Sequence, residues 1–208
     1  TAAARAVLGG AGAAFALCRP PGHHACADRA SGFCFLNNAA IAAELLRSAY
    51  DRVAIVDFDT HHGDGTQSIF YRRADVLVAS VHTDPTAYYP FFAGYEDERG
   101  AGAGEGYNVN LPLAQGSGDA VLIEANRVLA DGVAAFRADA LVISAGWDAH
   151  RDDPLSKLDV TTDAFSRLGA LWGGIKLPTV IVQEGGYSLA AIQEVAPRFV
   201  SAFLEARG

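Results

Sequence analysis

The chain has 208 residues, half of them hydrophobic and 19% charged, with 22 glycines and a formal net charge of −8. That make-up suits a globular α/β protein with a sizeable core rather than a fibrous or disordered one. The one dense basic pair is Arg72-Arg73, so the electrostatic footprint of a nucleic-acid binder is missing, and no apolar run approaches the roughly 20 residues of a membrane span.

Apolar runs bounded by turn residues predict strands at 15–18, 53–56, 76–81, 140–144 and 179–182. They lack polar alternation, which is the habit of parallel strands buried on both faces. Between them run helical periods. Ile41, Ala42, Leu45, Leu46 and Ala49 share one face, as do Leu122, Ala125, Leu129, Val133 and Phe136. Phe165, Leu168 and Leu171 form a third stripe, and residues 189–206 a fourth. No repeat or linker interrupts this order, which predicts a single domain over residues 1–208 with an open sheet covered by helices on both sides. The span 83–113 shows little periodicity and many Gly, Pro and aromatic residues, so it is expected to be a functional loop forming part of a channel wall.

Every polar cluster follows a predicted strand, where open parallel sheets bind ligands. The densest one packs three aspartates and two histidines into residues 57–64. Alternate residues of an extended segment point the same way, so Asp59 and His61 can face one metal, with Asp148 as the third ligand. Two carboxylates and an imidazole fit a hydrolytic Zn²⁺ site, and nearly as well Fe²⁺, Co²⁺ or Mn²⁺; an isolated Asp-x-His is otherwise a surface loop. His23-His24 arrives behind the stiff Arg19-Pro20-Pro21-Gly22 lead-in, either as exposed loop residues or as proton-transfer groups. In the second case a carboxylate should hold each ring, which pairs His23 with Asp57 and His24 with Asp64. The glycine pair Gly185-Gly186 lets the chain turn sharply and frees Tyr187 to donate to a developing oxyanion; the alternative is a core tyrosine capping the next helix. Cys18, Cys26 and Cys34 contain no C-x-x-C pair, which fits reduced thiols in the cytoplasm. No Walker-type, H-E-x-x-H or G-x-S-x-G motif occurs.

Taken together, Arg19-Pro20-Pro21-Gly22-His23-His24-Ala25, Gly32-Phe33-Cys34 with Asn37-Asn38, residues 57–67, Gly146-Trp147-Asp148-Ala149 and Glu184-Gly185-Gly186-Tyr187 resemble the histone deacetylase superfamily, in family order. The Pro-Pro-Gly form and residues 89–94 are closer to the class II-like and acetylpolyamine amidohydrolase branch. The resemblance implies an arginase-like three-layer α/β/α fold with a mainly parallel sheet, and metal-dependent removal of acetyl groups from an acetylated lysine peptide or an acetylpolyamine. It implies Asp59, His61 and Asp148 as zinc ligands, His23, His24, Asp57 and Asp64 as proton-transfer machinery and Tyr187 as the carbonyl-polarising group. Phe33 and Phe92, with Gly32 and Gly185, are implied as substrate-channel residues. It also implies structural K⁺, with Asp57, Asp59, His61, Ser80 and Val81 around an inner site and Phe70, Arg73 and Val76 around an outer one.

Family members carry a long segment ahead of the Arg-Pro-Pro-Gly loop, which here begins at residue 19. The first strand is therefore expected to be exposed or covered by a partner chain, a second copy among them. Two other functions fit the same residues: a metal- or acyl-lysine-binding module without turnover, and an arginase-type ureohydrolase. The latter would require a dinuclear Mn²⁺ site.

Overall fold

The computed structural model describes residues 1–208. Its strands are β1 (Ala13–Ala16), β2 (Val53–Asp57), β3 (Val76–Thr83), β4 (Asn108–Leu113), β5 (Ala140–Ala145) and β6 (Thr179–Gln183). They form one parallel sheet in the order β1-β6-β5-β2-β3-β4. Helices α1 (Ala2–Leu8), α2 (Asn38–Leu46) and α3 (Asp64–Phe70) cover one face, and α4 (Asp119–Phe136), α5 (Thr162–Gly174) and α6 (Leu189–Arg207) the other. This is the three-layer arrangement implied by the motifs.

The period of two along each strand explains the continuous apolar runs. Val53, Ile55, Val76, Val78, Ala140, Val142, Val180 and Val182 pack under α1 to α3, while Ala54, Val56, Leu77, Ala79, Leu141, Ile143 and Ile181 pack under α4 to α6. Each fully buried Val, Ile or Leu contributes about 1.5–3 kcal/mol from removal of apolar surface from water, so slippage by one residue would disrupt both faces at once. On the larger side Trp147 meets Phe165 and Phe199. Helices α5 and α6 approach so closely that a Cβ on Gly169 or Gly173 would lie 2.2 Å from the carbonyl oxygen of Phe199 or Phe203.

Four elements depart from the sequence expectations. Strand β1 lies two residues earlier than the apolar run 15–18, because the chain leaves the sheet at Leu17 towards two prolines that cannot donate to a ladder. It pairs with β6 alone and its residues are only partly buried, whereas the other four predicted strands are buried throughout. Strand β4 lies inside the span read as loop. Its inward positions are Asn108 and Asn110, whose amides donate to the Gln67 side chain at 2.9 Å, so polar bonding replaces apolar burial. Helices α1 and α3 are also additions; α3 buries Asp64, Thr66 and Gln67, a pattern opposite to an apolar stripe.

From β2 the chain proceeds through β3 to β4, and from β5 through β6 on the other side, so the direction of winding reverses between the adjacent strands β2 and β5. A crevice opens beyond the carboxyl ends at such a reversal.

Candidate metal centre and active-site cavity

The loops leaving β2 and β5 place their charged groups in that crevice. His61 Nδ1 lies 3.1 Å from both Asp59 Oδ1 and Asp148 Oδ2, and one donor atom from each of the three residues falls within 4.8 Å of the others. Donors about 2.0–2.1 Å from a tetrahedral ion stand roughly 3.3 Å apart, so the triad fits a divalent cation. All three side chains are buried. Thr60 N donates to the other Asp148 oxygen at 3.2 Å and Gly185 N to Asp59 Oδ2 at 2.8 Å, which orients both carboxylates. On the far side of His61, Nε2 lies 2.8 Å from the Tyr88 hydroxyl, and that hydroxyl donates to the Leu155 carbonyl. With Nε2 carrying the proton, Nδ1 is left free to ligate, the usual outer-sphere arrangement.

The tandem histidines fall into the expected pairs. His23 Nδ1 is 2.9 Å from Asp57 Oδ2, and His24 Nδ1 is 2.7 Å from Asp64 Oδ1. Burial opposes charge on both rings, with different outcomes. At His23 the carboxylates of Asp59 and Asp57 outweigh it and hold the pKa well above the usual histidine range. At His24 burial and the neighbouring His23 charge prevail over Asp64 and push the pKa down to about 4. His24 also lines the cavity, whereas the Nε2 of His23 points towards Asp59, 3.9 Å away. The loop carrying both is fastened by Glu184, whose Oε2 accepts from Gly22 N at 2.6 Å and His23 N at 3.1 Å. Burial, moderated by the His23 charge, pushes that carboxyl up to about 7. Its role was not read from the sequence, because nothing local to residue 184 points to residue 22.

A cavity of about 390 Å³ leads to these groups, with His24 and His61 at its base. Phe33, Tyr88, Tyr89, Phe91, Leu155 and Tyr187 supply its walls. Gly32 and Phe33 both adopt positive φ, at 51° and 65°, between the bridged residues Ser31 and Cys34. This two-residue hairpin turn throws the Phe33 ring outward, and a Cβ on Gly32 would lie 2.2 Å from His24 Cδ2. Tyr187 meets Phe33 edge-on at 6.0 Å, while the neighbouring Ser188 is the residue that caps α6. The tyrosine therefore belongs to the cavity and does not cap the helix.

Two expected channel residues lie elsewhere. Phe92 does not face Phe33; it stacks beneath the Arg29 guanidinium at 5.5 Å in a separate pocket with Asp64 and Glu98. Phe91 at φ 61° folds the chain back on itself, so consecutive rings point to different sides. The ring standing over the site is Tyr89, edge-on to His24 at 5.0 Å and fixed through a 2.6 Å hydroxyl contact with Ser31. Gly185 lies beneath the carboxylates instead of on the wall, where a Cβ would come within 2.2 Å of Asp148 Oδ2. Among the residues implied for potassium, Asp57 and Ser80 stand opposite each other in the β2–β3 register, with Val81 next along β3. Phe70, Arg73 and Val76 bracket the turn from α3 into β3, where Arg73 N donates to the Phe70 carbonyl.

A proton competes with a cation for the triad. Burial opposes a charge on His61, but the hydrogen-bonded carboxylates of Asp148 and Asp59 raise its pKa to about 9; burial and the Asp59 charge raise Asp148 to about 6. Cation binding must expel the His61 proton below pH 9, so affinity is lost as pH falls. Chelator-competition titrations are expected to show affinity changing by about tenfold per pH unit between those two values, more steeply below the lower one and not above the higher. A flat profile from pH 6 to 9 would remove His61 from the ligand set.

The family profile described as "Histone deacetylase domain" matches residues 1–203. Acetylpolyamine amidohydrolase of Burkholderia pseudomallei (strain 1710b) is 56% identical over 207 residues, covering 100% of this chain and 61% of that protein. Acetylpolyamine amidohydrolase 1 of Pseudomonas aeruginosa is 53% identical over 184 residues, covering 88% of this chain and 53% of that protein. The chain thus spans between half and two thirds of the length of these relatives. A crystal structure of acetylpolyamine aminohydrolase from Burkholderia pseudomallei superposes with a TM-score of 0.97 at 56% identity, over 99% of this chain and 60% of that one. With that match laid over a site built from Asp59, His61, Asp148 and the paired His23 and His24, the chain belongs to the histone deacetylase family.

Proposed function

We propose that the chain carries the catalytic centre of a zinc-dependent amidohydrolase that removes acetyl groups from acylated primary amines, acetyl-lysine peptides or acetylpolyamines. The observation that carries this reading is the buried three-donor cluster directly beside the neutral imidazole of His24, at the base of an aromatic-walled cavity. The relatives named acetylpolyamine amidohydrolase favour acetylpolyamines among these substrates.

A divalent cation in the triad, Zn²⁺ by its donor set with Fe²⁺ or Co²⁺ able to replace it, supplies a Lewis acid for the acetyl carbonyl and the attacking water. The chain's own residues do the rest. Phe33 and Tyr89 flank the methylenes of the substrate arm. His24 removes the water proton at Nε2, while Asp64 holds Nδ1 and steadies the imidazolium that forms. The same proton is then delivered to the leaving amine, which departs neutral. His23, charged and set against Asp57, contributes a fixed positive potential. Tyr187 donates its hydroxyl proton in a hydrogen bond to the carbonyl oxygen as negative charge develops there. Burial, reinforced by Asp59 and Asp148, raises the phenol pKa, so it remains protonated and able to donate. The family also supports K⁺ at the carbonyls around Asp57, Asp59, His61, Ser80 and Val81, and around Phe70, Arg73 and Val76.

Acetate release from acetyl-lysine peptides and from acetylputrescine, measured with Zn²⁺ supplied and after chelation, tests the reading. Metal-dependent release is the expected result. One bound Zn²⁺ per chain without release from any of these substrates would leave a binding module. A dinuclear ureohydrolase requires a second set of donors, and the chain presents one cluster.

A further inference from the structure

The segment between β6 and α6 that carries Tyr187 belongs to neither a strand nor a helix, so side chains must hold it. Gly185 N is tied to Asp59, and the Gly186 carbonyl accepts from Arg19 Nη2 at 2.5 Å. The amides of Tyr187 and Ser188 converge on one residue with no assigned role. Asp153 Oδ2 accepts from Tyr187 N at 2.7 Å and from Ser188 N at 2.9 Å. Its other oxygen accepts from Leu155 N at 3.0 Å. The side chain is buried, 5% exposed, in the loop after β5.

Of the three residues held this way, Tyr187 and Leu155 face the cavity. One carboxylate therefore sets the separation between the Tyr187 peptide and the Leu155 wall, two segments with no covalent reason to keep register. Leu155 extends the constraint, since its carbonyl accepts from Tyr88, the partner of His61. Three amide donors on two oxygens suit a carboxylate; an amide side chain would turn an N–H₂ towards backbone N–H groups.

We propose that Asp153 is a positioning residue for the hydrolysis, fixing the Tyr187 hydroxyl and the Leu155 wall relative to the acetyl carbonyl. The proposal rests on the assignment of Tyr187 as oxyanion donor. Asp153 neither lines the cavity nor bonds to the three cation donors, so it acts through Tyr187. A displacement of about 1 Å at such a donor costs about a hundredfold. Asp153→Asn is therefore expected to lower kcat by about 10–100-fold with one metal still bound per chain, and to lower it less than threefold further when Tyr187 is already phenylalanine. Equal losses in both backgrounds, or unchanged kcat in the single variant, would overturn the proposal.

Asp153→Glu separates geometry from charge. It keeps a negative group at the α6 N-terminus but overshoots by one methylene, so kcat should also fall; full activity there would mean that charge at the helix end is all that Asp153 supplies. Hydrogen exchange of the full chain reads placement without turnover. Asp153→Ala, which leaves no acceptor, should accelerate exchange at the Tyr187 and Ser188 amides by at least about tenfold, with protection at Val195 and Phe199 inside α6 retained. Unchanged exchange at 187 and 188 would refute the clamp itself. An inactive parent chain that shows the expected exchange change would overturn the hydrolase reading and leave the clamp standing.

Discussion

His24→Ala is expected to lower kcat by about 10²–10⁴-fold, the range for loss of a general base that also serves as general acid. The proposed mechanism assigns this role to His24 rather than His23 on two grounds: it lines the cavity, and a pKa pushed down to about 4 leaves its imidazole neutral at neutral pH. Burial opposes a charge on His23, but Asp59 and Asp57 raise its pKa well above the usual histidine range, which favours the charged form over a proton acceptor. The matching His23→Ala variant should lose less kcat and should move the pH profile. Removing the His23 charge lifts the second-largest contribution that depresses His24, so the acidic limb of kcat/KM is expected to shift to higher pH. Steady-state rates across pH 5–9 for both variants decide the assignment; a smaller loss in His24→Ala than in His23→Ala would reverse it.

Tyr187→Phe is expected to lower kcat by about 10²–10³-fold, as loss of one oxyanion donor does in other hydrolases. The phenylalanine ring keeps the edge contact with Phe33, and the backbone bond to Asp153 is untouched. KM and metal content should therefore change little, so the loss falls on the chemical step. A raised KM with intact kcat would place Tyr187 on the channel wall, with no part in stabilising the oxyanion.

What the sequence allows one to read follows the range of the interactions involved. The strands at 53–56, 76–81, 140–144 and 179–182 were legible because burial on both faces leaves an uninterrupted apolar run. Asp59 and His61 were legible because extended backbone places alternate residues on one side, and the two His–Asp pairs because charge must be matched once buried. Strand β4 was illegible because Asn108, Asn110 and Pro112 carry no strand pattern, and its inward groups are satisfied by Gln67 on α3. The exchange of Phe92 for Tyr89 and Phe91 on the cavity wall depends on a positive φ at Phe91, which a phenylalanine does not announce. Glu184 and Asp153 act on residues 162 and 34 positions away, through bonds that exist only after the chain has closed.

The first of those separations bears on how the protein comes into being. Glu184 grips the amides of Gly22 and His23, so the proton-transfer loop is anchored by a residue synthesised long after it. At about 5–20 residues per second, roughly ten seconds or more separate the synthesis of His23 and His24 from that of residue 184. Over that interval the imidazole loop remains unfastened, and the cation cluster is itself incomplete until Asp148 follows. The loop is therefore expected to lock in a single late event, when the last strand docks, and not gradually with chain length.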